Sequence, residues 1–327
     1  MLPASSTMRV EKAIEAYLRA IEAGSALNKH GRPYKPSAIR DLKGALEGHV
    51  EPELGARRLA DVRRGDVQRL VDDMTPAKSG SRVRAVVNSI RSLYAWAQDR
   101  ELVDHDPASR VRLPAMEAKP HDRVATVGEM RTLLVALDWK DALPFAMAVY
   151  ATARRAEIRH VRVEDVDLKL NVVYLGADER GRKSRAAQRA VPIAQPLRAV
   201  IRRSLLERGR PGSKELLCPG HKPGGRNSGA LSFEALQVRA DEVWKKAKLN
   251  RITPHECRHT CATWLDAAGV RPVVVSQLMG HSAPARQMGA AQITQERYTH
   301  ALPGELEQAR EQFDRWLAHA LVASAAV

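Results

Sequence analysis

Residues 253–269 of the chain read TPHECRHTCATWLDAAG, and the rest of the sequence is best interpreted outward from this stretch. Thr253 and Pro254 form a typical helix start, a capping side chain followed by a proline in the first turn, and Gly269 is a typical stop. Apolar residues recur at helical spacing between these two ends. The stretch therefore predicts a helix.

One face of this predicted helix is polar. At about 100° per residue, His255, Arg258 and His259 fall together, while Cys257 and Cys261 belong to the apolar side. The alternation of His and Cys could suggest zinc, but the two pairs point about 200° apart on a helix, so four ligands cannot converge. The prediction is a guanidinium and imidazoles presented together, without a metal.

The chain as a whole is strongly basic. Its 327 residues include 53 Lys and Arg against 38 Asp and Glu, a formal net charge of +15. Nucleic acid is the expected partner, and a lipid surface is disfavoured because the basic residues are spread along the whole chain. The sequence lacks an apolar run of about 18 residues and a signal peptide, which predicts a cytoplasmic protein without a membrane partner. Its three cysteines do not make a disulfide framework.

Residues 1–106 predict a small helical bundle with basic faces. Four stretches carry apolar residues at helical spacing: Val10–Ile21, a run capped by Ser37, a run that begins at Arg64, and Ser81–Arg100. Pro52 and Gly55 are expected to end the second helix. A single arginine on such a bundle is ordinary surface, but together they indicate contacts to phosphates.

The remaining residues predict a basic linker, a second domain and a tail. Residues 107–123 contain three prolines among arginines and lysines and lack sustained periodicity, as expected of an interdomain linker. Residues 124–304 predict helices with a small antiparallel β-sheet, whose strands are Val172–Leu175 and Ala190–Ile193. Residues 305–327 predict an amphipathic helix.

Five short motifs, taken in order, resemble the tyrosine recombinase family, also called phage integrases. They are Arg154 with Glu157; Lys183 in a hairpin loop, with Arg189, Val191 and Pro192 after it; His255 with Arg258 and His259; Leu278–His281; and Arg297–His300. Each motif is weak by itself, but all five in this order are specific. The resemblance extends from about Val10 to about Ala318.

The resemblance implies a mainly α fold, with an N-terminal helical core-binding domain of the SAM-like type and an α+β catalytic domain. It implies a site-specific recombinase that cuts and rejoins double-stranded DNA through a 3′-phosphotyrosyl intermediate, without metal, ATP or another cofactor. A homo-tetramer in the synaptic complex and accessory DNA-bending or excisionase proteins would be its partners. The C-terminal helix would dock into a neighbouring subunit, so that Phe313, Trp316 and Leu321 would be exposed on a monomer.

Three of the expected catalytic residues act directly on the phosphate. Tyr298 would attack the phosphorus, because a phenol oxygen can hold the phosphoryl group in a covalent intermediate. Arg154 and Arg258 would bind the nonbridging oxygens, where charge gathers in the transition state, since a guanidinium offers a rigid bidentate fork.

Three further residues are expected to handle protons. His255 and His281 would donate to the same oxygens or relay the proton of the tyrosine, and Lys183 is the candidate acid for the leaving 5′ oxygen. Glu157 is expected to be a buried partner that orients the helix or the neighbouring Arg154.

Two departures from the family keep other functions open. Thr152 stands where the family usually has glycine, and Ala283–Ile293 adds residues before the tyrosine. One alternative is a type IB topoisomerase, which would relax supercoils without a specific site. The other is a catalytically inert DNA-binding or architectural protein, because a fold does not guarantee an activity.

Overall fold

The computed structural model of the chain describes residues 7–116, 123–176, 188–220, 229–281 and 304–325. These residues form two compact units, Met1–Pro120 and His121–Val327, here called unit 1 and unit 2. Both are built mainly of helices, and unit 2 also contains one small antiparallel sheet, so the predicted fold class is confirmed. Within the described ranges, every helix is too short or too polar to cross a membrane.

Unit 1 is a helical bundle around its own apolar core. Its α-helices are α1 (Val10–Glu22), α2 (Pro36–Ala45), α3 (Glu51–Leu54), α4 (Arg64–Met74) and α5 (Gly80–Gln98), with a 3-10 turn at Leu59–Asp61. The helical spacing that predicted α1, α4 and α5 matches their buried faces, which meet in one cluster. At the centre of that cluster, Tyr17 packs against Trp96 with 5.5 Å between ring centroids.

The second helix of the bundle differs from its prediction at both ends. It begins at Pro36, with Lys35 as the N-cap residue, so the expected cap at Ser37 is wrong. Pro52 does not end the helical path either, because a π-helical turn at Leu46–Val50 leads directly into α3. Pro52 lies in the first turn of α3, where the missing N–H of proline is tolerated.

The first part of the predicted linker packs on unit 1. Ala108 and Val111 are buried in its core. Arg91 of α5 donates from Nε and Nη2 to the carbonyl oxygen of Ala108, at 3.3 and 3.1 Å. Residues 107–116 therefore continue the bundle instead of leaving it as free chain.

Unit 2 surrounds a helix that is buried over most of its length with further helices and the sheet. Its elements are α6 (Val127–Ala136), α7 (Trp139–Tyr150), α8 (Arg155–His160), a 3-10 turn (Val163–Asp165), β1 (Val166–Asp167), β2 (Val172–Leu175), β3 (Arg189–Pro192), α9 (Gln195–Glu207), α10 (Phe233–Lys246), α11 (Pro254–Ala267), α12 (Pro272–Leu278) and α13 (Glu305–Ala325). Every residue of α7 from Asp141 to Tyr150 is buried, which makes α7 the centre of the unit.

The sheet of unit 2 brings β3, which is distant in sequence, next to α8. Its strands pair antiparallel in the order β1-β2-β3, one strand more than predicted. Val173 lies opposite Val191, and Leu175 lies opposite Arg189. Because strand residues alternate between faces, Arg189 and Val191 both point inward, and both are buried.

The C-terminal helix α13 packs against the body of its own unit. Ala309, Phe313 and Leu317 are buried in the core of unit 2, and Trp316 packs partly buried beside them. The ring of Trp316 lies 6.0 Å from that of Trp264 on α11. The expectation that this stripe is exposed on a single chain is therefore wrong, because the stripe finds its apolar partners within the same chain.

Replacing Phe313 with alanine should lower the free energy of unfolding by about 3 kcal/mol, because it removes a ring that is only 3 % exposed and leaves a cavity. Urea unfolding of the whole chain measures the effect. Val322→Ala on the same helix is the control, since Val322 is 73 % exposed and its truncation should change little. Equal losses for the two variants would contradict the packing of α13.

Candidate active site

The helix predicted from residues 253–269 is present as α11, and its start is built as the sequence indicated. Thr253 caps it, accepting a hydrogen bond from the backbone N–H of Glu256, and the Glu256 carboxylate accepts from the backbone N–H of Thr253 at 2.7 Å. Cys257 and Cys261 are buried on the apolar side. This anchoring fixes the side of α11 that carries its histidines and arginine.

The end of α12 supplies the acceptors of the site. Its last residue is Leu278, and Gly280 follows with a φ of 59°, a left-handed conformation that glycine adopts without strain. The final carbonyls of a helix have no partner within the helix and carry its negative dipole end. The carbonyls of Leu278, Met279 and Gly280 therefore form a natural place for cations.

Arg154 lies against these carbonyls at the start of α8. Its Nη2 donates to the carbonyl oxygens of Met279, at 2.9 Å, and Gly280, at 2.5 Å, and its Nη1 donates to Glu157 Oε1 at 2.9 Å. Its side chain is 22 % exposed. Of the five N–H bonds of this guanidinium, these contacts use three, so the group can still donate outward.

Arg258 reaches the same carbonyls from α11. Its Nη2 donates to the carbonyl oxygen of Met279, which also accepts from Arg154, and its Nη1 donates to the carbonyl oxygen of Thr152. The two guanidiniums thus converge on one atom. Burial and the neighbouring guanidiniums of Arg154 and Arg189 lower the pKa of Arg258 to about 10, so it remains a cation at neutral pH.

A third arginine completes the group, and its role in the site was missed from the sequence. Arg189 at the start of β3 donates from Nε to the carbonyl oxygen of Leu278 at 2.6 Å. Its Nη1 and Nη2 donate to the two carboxylate oxygens of Glu157, at 2.9 and 3.1 Å. The available signal was strand alternation, which places a charged residue on the inward face next to Val191. Arg154, Arg189 and Arg258 with Glu157 are called the arginine cluster below.

Glu157 is the buried carboxylate of the arginine cluster. It accepts from the backbone N–H of Arg154 at 2.8 Å, as well as from the side chains of Arg154 and Arg189. Burial alone raises its pKa, but the hydrogen bonds and charge of Arg189, then those of Arg154, outweigh burial and hold the pKa below its ordinary value of 4.5. The expectation that Glu157 orients Arg154 as a buried partner is confirmed.

Thr152 occupies the position where glycine was expected from the resemblance, and its backbone explains that preference. Its φ is 52°, a left-handed conformation that is uncommon for a β-branched residue. Its hydroxyl donates to the carbonyl oxygen of Leu278 at 2.5 Å, and its own carbonyl accepts from Arg258 and Arg189. The conformation turns this carbonyl into the arginine cluster, and the hydroxyl bond helps to hold it there.

Among the described residues of the site, His255 and His259 form a contacting pair, and His281 lies on a different element. His255 and His259 approach within 3.0 Å between their Nε2 atoms, so one ring donates and the other accepts. His281 follows the carbonyls of α12. Burial, and after it the positive charges of the arginine cluster, lower the pKa of His281 below its ordinary value of 6.5, which favours a neutral imidazole at neutral pH.

The structure brings together Arg154, Arg258 and His281, with His255 on the same helix as Arg258. Lys183 and Tyr298 lie outside the described residues, as do residues 283–293. The two adjacent arginines at the start of α8 point in different directions. Arg155 turns away to Glu234 at 2.8 Å and lies over the ring of Phe233, whereas Arg154 faces the arginine cluster.

The arrangement is suited to binding an anion with delocalised charge. Three guanidiniums face one carboxylate, so the arginine cluster has an excess of two positive charges. A phosphodiester carries one negative charge and gains a second as it approaches a five-coordinate transition state, and donors already fixed in place stabilise that gain. Beside them, a neutral imidazole can accept a proton.

Comparison with known proteins agrees with the predicted family and fold. Residues 124–304 match the Phage integrase family. Tyrosine recombinase XerD of Mycobacterium leprae is 29% identical over 270 residues, which cover 79% of this chain and 81% of that protein. Tyrosine recombinase XerC of Oceanobacillus iheyensis is 21% identical over 311 residues, covering 90% and 95% of the two chains.

Solved structures share the fold at low sequence identity. A lambda integrase dimer bound to a COC′ core site has a TM-score of 0.65 with 12% identity, over 86% of this chain and 98% of that chain. The Tn1549 transposon integrase in complex with circular intermediate DNA has a TM-score of 0.62 with 16% identity, over 92% and 98%. The predicted family and its mainly helical fold are confirmed by these comparisons.

Replacing Glu157 with glutamine should destabilise the chain by about 3 kcal/mol at neutral pH, because three buried or half-buried guanidiniums lose their counter-charge. The lowered pKa sets the sign of the pH dependence. The stabilisation by Glu157 is fully present above its ordinary value of 4.5 and is lost as the pH falls through the folded-state pKa.

Urea unfolding of both proteins between about pH 3 and pH 7 measures this difference. Glu234→Gln is the matched control, because Glu234 pairs with Arg155 at the surface and its loss should cost below about 1 kcal/mol. A difference between wild type and Glu157→Gln that grows as the pH falls would contradict the charge of Glu157.

Proposed function

The chain belongs to the phage integrase family of tyrosine-type site-specific recombinases, and we propose that it cuts and rejoins double-stranded DNA through a covalent 3′-phosphotyrosyl intermediate. The observation that supports this most is the convergence of Arg154 and Arg258 on the carbonyl oxygen of Met279. Two guanidiniums that share one neutral acceptor can both turn to the nonbridging oxygens of a phosphate placed beside them.

The bond changes follow from the residue types. The Oη atom of Tyr298 attacks the phosphorus, a P–O bond to the tyrosine forms, and the bond to the 5′ oxygen breaks. Lys183 donates a proton to that 5′ oxygen, which leaves as a hydroxyl. The phosphotyrosyl bond retains the energy of the broken one, so the same hydroxyl or that of another strand can attack it in return without ATP.

The histidines provide the remaining proton transfer. The lowered pKa of His281 favours a neutral ring, which can accept the proton that Tyr298 loses as it attacks. His255 is proposed to donate to a nonbridging oxygen beside Arg258, and because its Nε2 lies 3.0 Å from that of His259, it does so by exchanging that partner for the phosphate. Acceptor and donor therefore lie on separate elements, the end of α12 and the face of α11.

Charge supports DNA as the partner of both units. The net charge of +15 favours a polyanion. In unit 1, which we propose as the core-binding domain, a groove of about 320 Å³ is lined by Arg64, Gly65, Gln68, Arg110 and Arg112. Its three guanidiniums suit backbone phosphates, which position a duplex without reading its sequence.

The assembly proposed on DNA is a homo-tetramer, because exchange between two duplexes cuts four strands and each cut needs one subunit. Structures of lambda integrase include a dimer on a core site and a tetramer on a Holliday junction, and these share the fold of this chain at TM-scores of 0.65. Accessory DNA-bending or excisionase proteins belong to the same proposal, since they would choose between integration and excision. Along the chain, the proposed division is a DNA-binding domain at 1–106, a linker at 107–123 whose first ten residues pack on unit 1, a catalytic domain at 124–304, and a C-terminal helix at 305–327 that packs on the catalytic domain.

Changing Tyr298 to phenylalanine should abolish covalent capture of DNA and leave binding intact, because only the attacking oxygen is lost. The substrate is a duplex carrying the exchange site with a nick beside the cleaved phosphate, which traps the adduct as the short 5′ fragment diffuses away. Denaturing gels measure the adduct and a mobility shift measures binding.

Three outcomes of this experiment separate the functions. Capture by the phenylalanine variant would remove Tyr298 from its role. No capture by the unaltered chain would favour an inert DNA-binding protein. Relaxation of a supercoiled plasmid without any exchange site, by a monomer, would favour a type IB topoisomerase.

Changing Lys183 to alanine should slow cleavage of ordinary DNA by about a hundredfold, because the leaving 5′ oxygen then lacks its acid. A substrate with sulfur in place of that bridging oxygen should restore the rate to within about tenfold, since a thiolate leaves without being protonated. Lys246→Ala, on the exposed side of α10, is the control and should cleave both substrates at the rate of the wild type. Equal impairment on both substrates would exclude Lys183 as the acid.

A further inference from the structure

We propose that Arg189 is a positioning residue for the cleavage reaction, and that it acts by occupying Glu157 so that Arg154 stays available to the phosphate. The inference rests on the proposed function, because it concerns the same site. It assigns a task to a residue whose side chain is buried.

The contacts of Arg189 leave little of it to offer a substrate. Its guanidinium donates to Leu278, to Thr152 and to both oxygens of Glu157, so four of its five N–H bonds are used within the protein. The side chain is 4 % exposed. Arg154, by contrast, uses three N–H bonds and is 22 % exposed. Arg189 is thus built into the site and Arg154 faces outward from it.

The carboxylate of Glu157 is saturated as a result. Its Oε1 accepts from the side chains of Arg154 and Arg189, and its Oε2 accepts from the backbone of Arg154 and the side chain of Arg189. A carboxylate has about four acceptor positions, so all are filled. Arg154 therefore holds only one side-chain hydrogen bond to Glu157, and the planar fork of its guanidinium is not closed around the carboxylate.

Removing Arg189 would leave the Glu157 carboxylate short of hydrogen-bond donors. Two acceptor positions of a buried carboxylate would lose their donors, and burial makes an unfilled charged acceptor costly. Arg154 is the nearest remaining guanidinium and can turn both of its Nη groups onto Glu157, the bidentate geometry that arginine and carboxylate prefer. A guanidinium closed on Glu157 cannot also close on a phosphate.

The competition is therefore between one internal carboxylate and one substrate phosphate for the same guanidinium. Arg189 favours the phosphate, because it fills acceptor positions of Glu157 from the opposite side. It does so from β3, a strand that contributes no other group to the arginine cluster among the described residues. It also adds one positive charge to the field at the phosphate, which a neutral spacer could not do.

The test compares cleavage rates in two backgrounds. Arg189→Met should lower the rate of covalent adduct formation on the nicked duplex by about a hundredfold, while the DNA dissociation constant changes less than about threefold. In a Glu157→Gln background the same change should cost less than about tenfold, because no carboxylate remains to capture Arg154. Coupling of this kind is specific to action through Glu157.

Two further variants keep the test independent of folding. Arg189→Lys retains the charge but offers a point donor, so its loss should be intermediate and its thermal midpoint close to that of wild type. Arg239→Met removes an arginine that binds a carboxylate outside the arginine cluster, that of Asp141, at 2.7 and 2.9 Å. It should lower the thermal midpoint but leave the cleavage rate unchanged.

The outcomes separate this inference from the proposed function. No adduct from the unaltered chain would overturn the proposed function and this inference with it. If the unaltered chain forms the adduct, and Arg189→Met and Arg189→Lys form it at the same rate, the inference alone is overturned. Equal losses from Arg189→Met with and without Glu157→Gln would also overturn it, because Arg189 would then not act through Glu157.

Discussion

The site of this protein depends on the meeting of three guanidiniums with the carbonyls that end α12. Carbonyls at a helix end need donors when they are buried, and buried guanidiniums need acceptors. Leu278, Met279 and Gly280 supply the acceptors, and arginines from α8, β3 and α11 supply the donors. The carbonyls and the guanidiniums fill each other's hydrogen-bonding positions, and the positive charge of the guanidiniums remains. Among the residues that the structure describes, Glu157 is the one carboxylate that pairs with these guanidiniums, so the group stays positive, as an anion site requires.

The parts of the site that the sequence predicted are those set by local rules. A capping residue, a first-turn proline and helical spacing located α11, and with it the shared face of His255 and Arg258. The pairing of Arg154 with Glu157 was also accessible, because residues three apart meet at a helix start. The family followed from the order of motifs, so the fold class was available before any coordinates.

The parts that the sequence did not predict depend on contacts between distant segments or on unusual backbone. Arg189 joins the site because β3 pairs with β2, and that register is invisible in one strand alone. Pro52 was read as a helix stop, but a π-helical turn before it restarts the helix. The stripe of α13 looked like an exposed surface because its partners, such as Trp264, lie far away in sequence.

The contact between Trp316 and Trp264 links the tail of the chain to the back of the helix that carries Arg258. The two indoles lie 6.0 Å apart, and Tyr150 of the central helix lies 6.2 Å from Trp264 on the same side. Aromatic rings held in fixed tertiary contact contribute to near-ultraviolet dichroism. The chain therefore carries a native aromatic pair where α13 packs on α11. A change in near-ultraviolet dichroism would report that α13 has left this contact, without any attached dye.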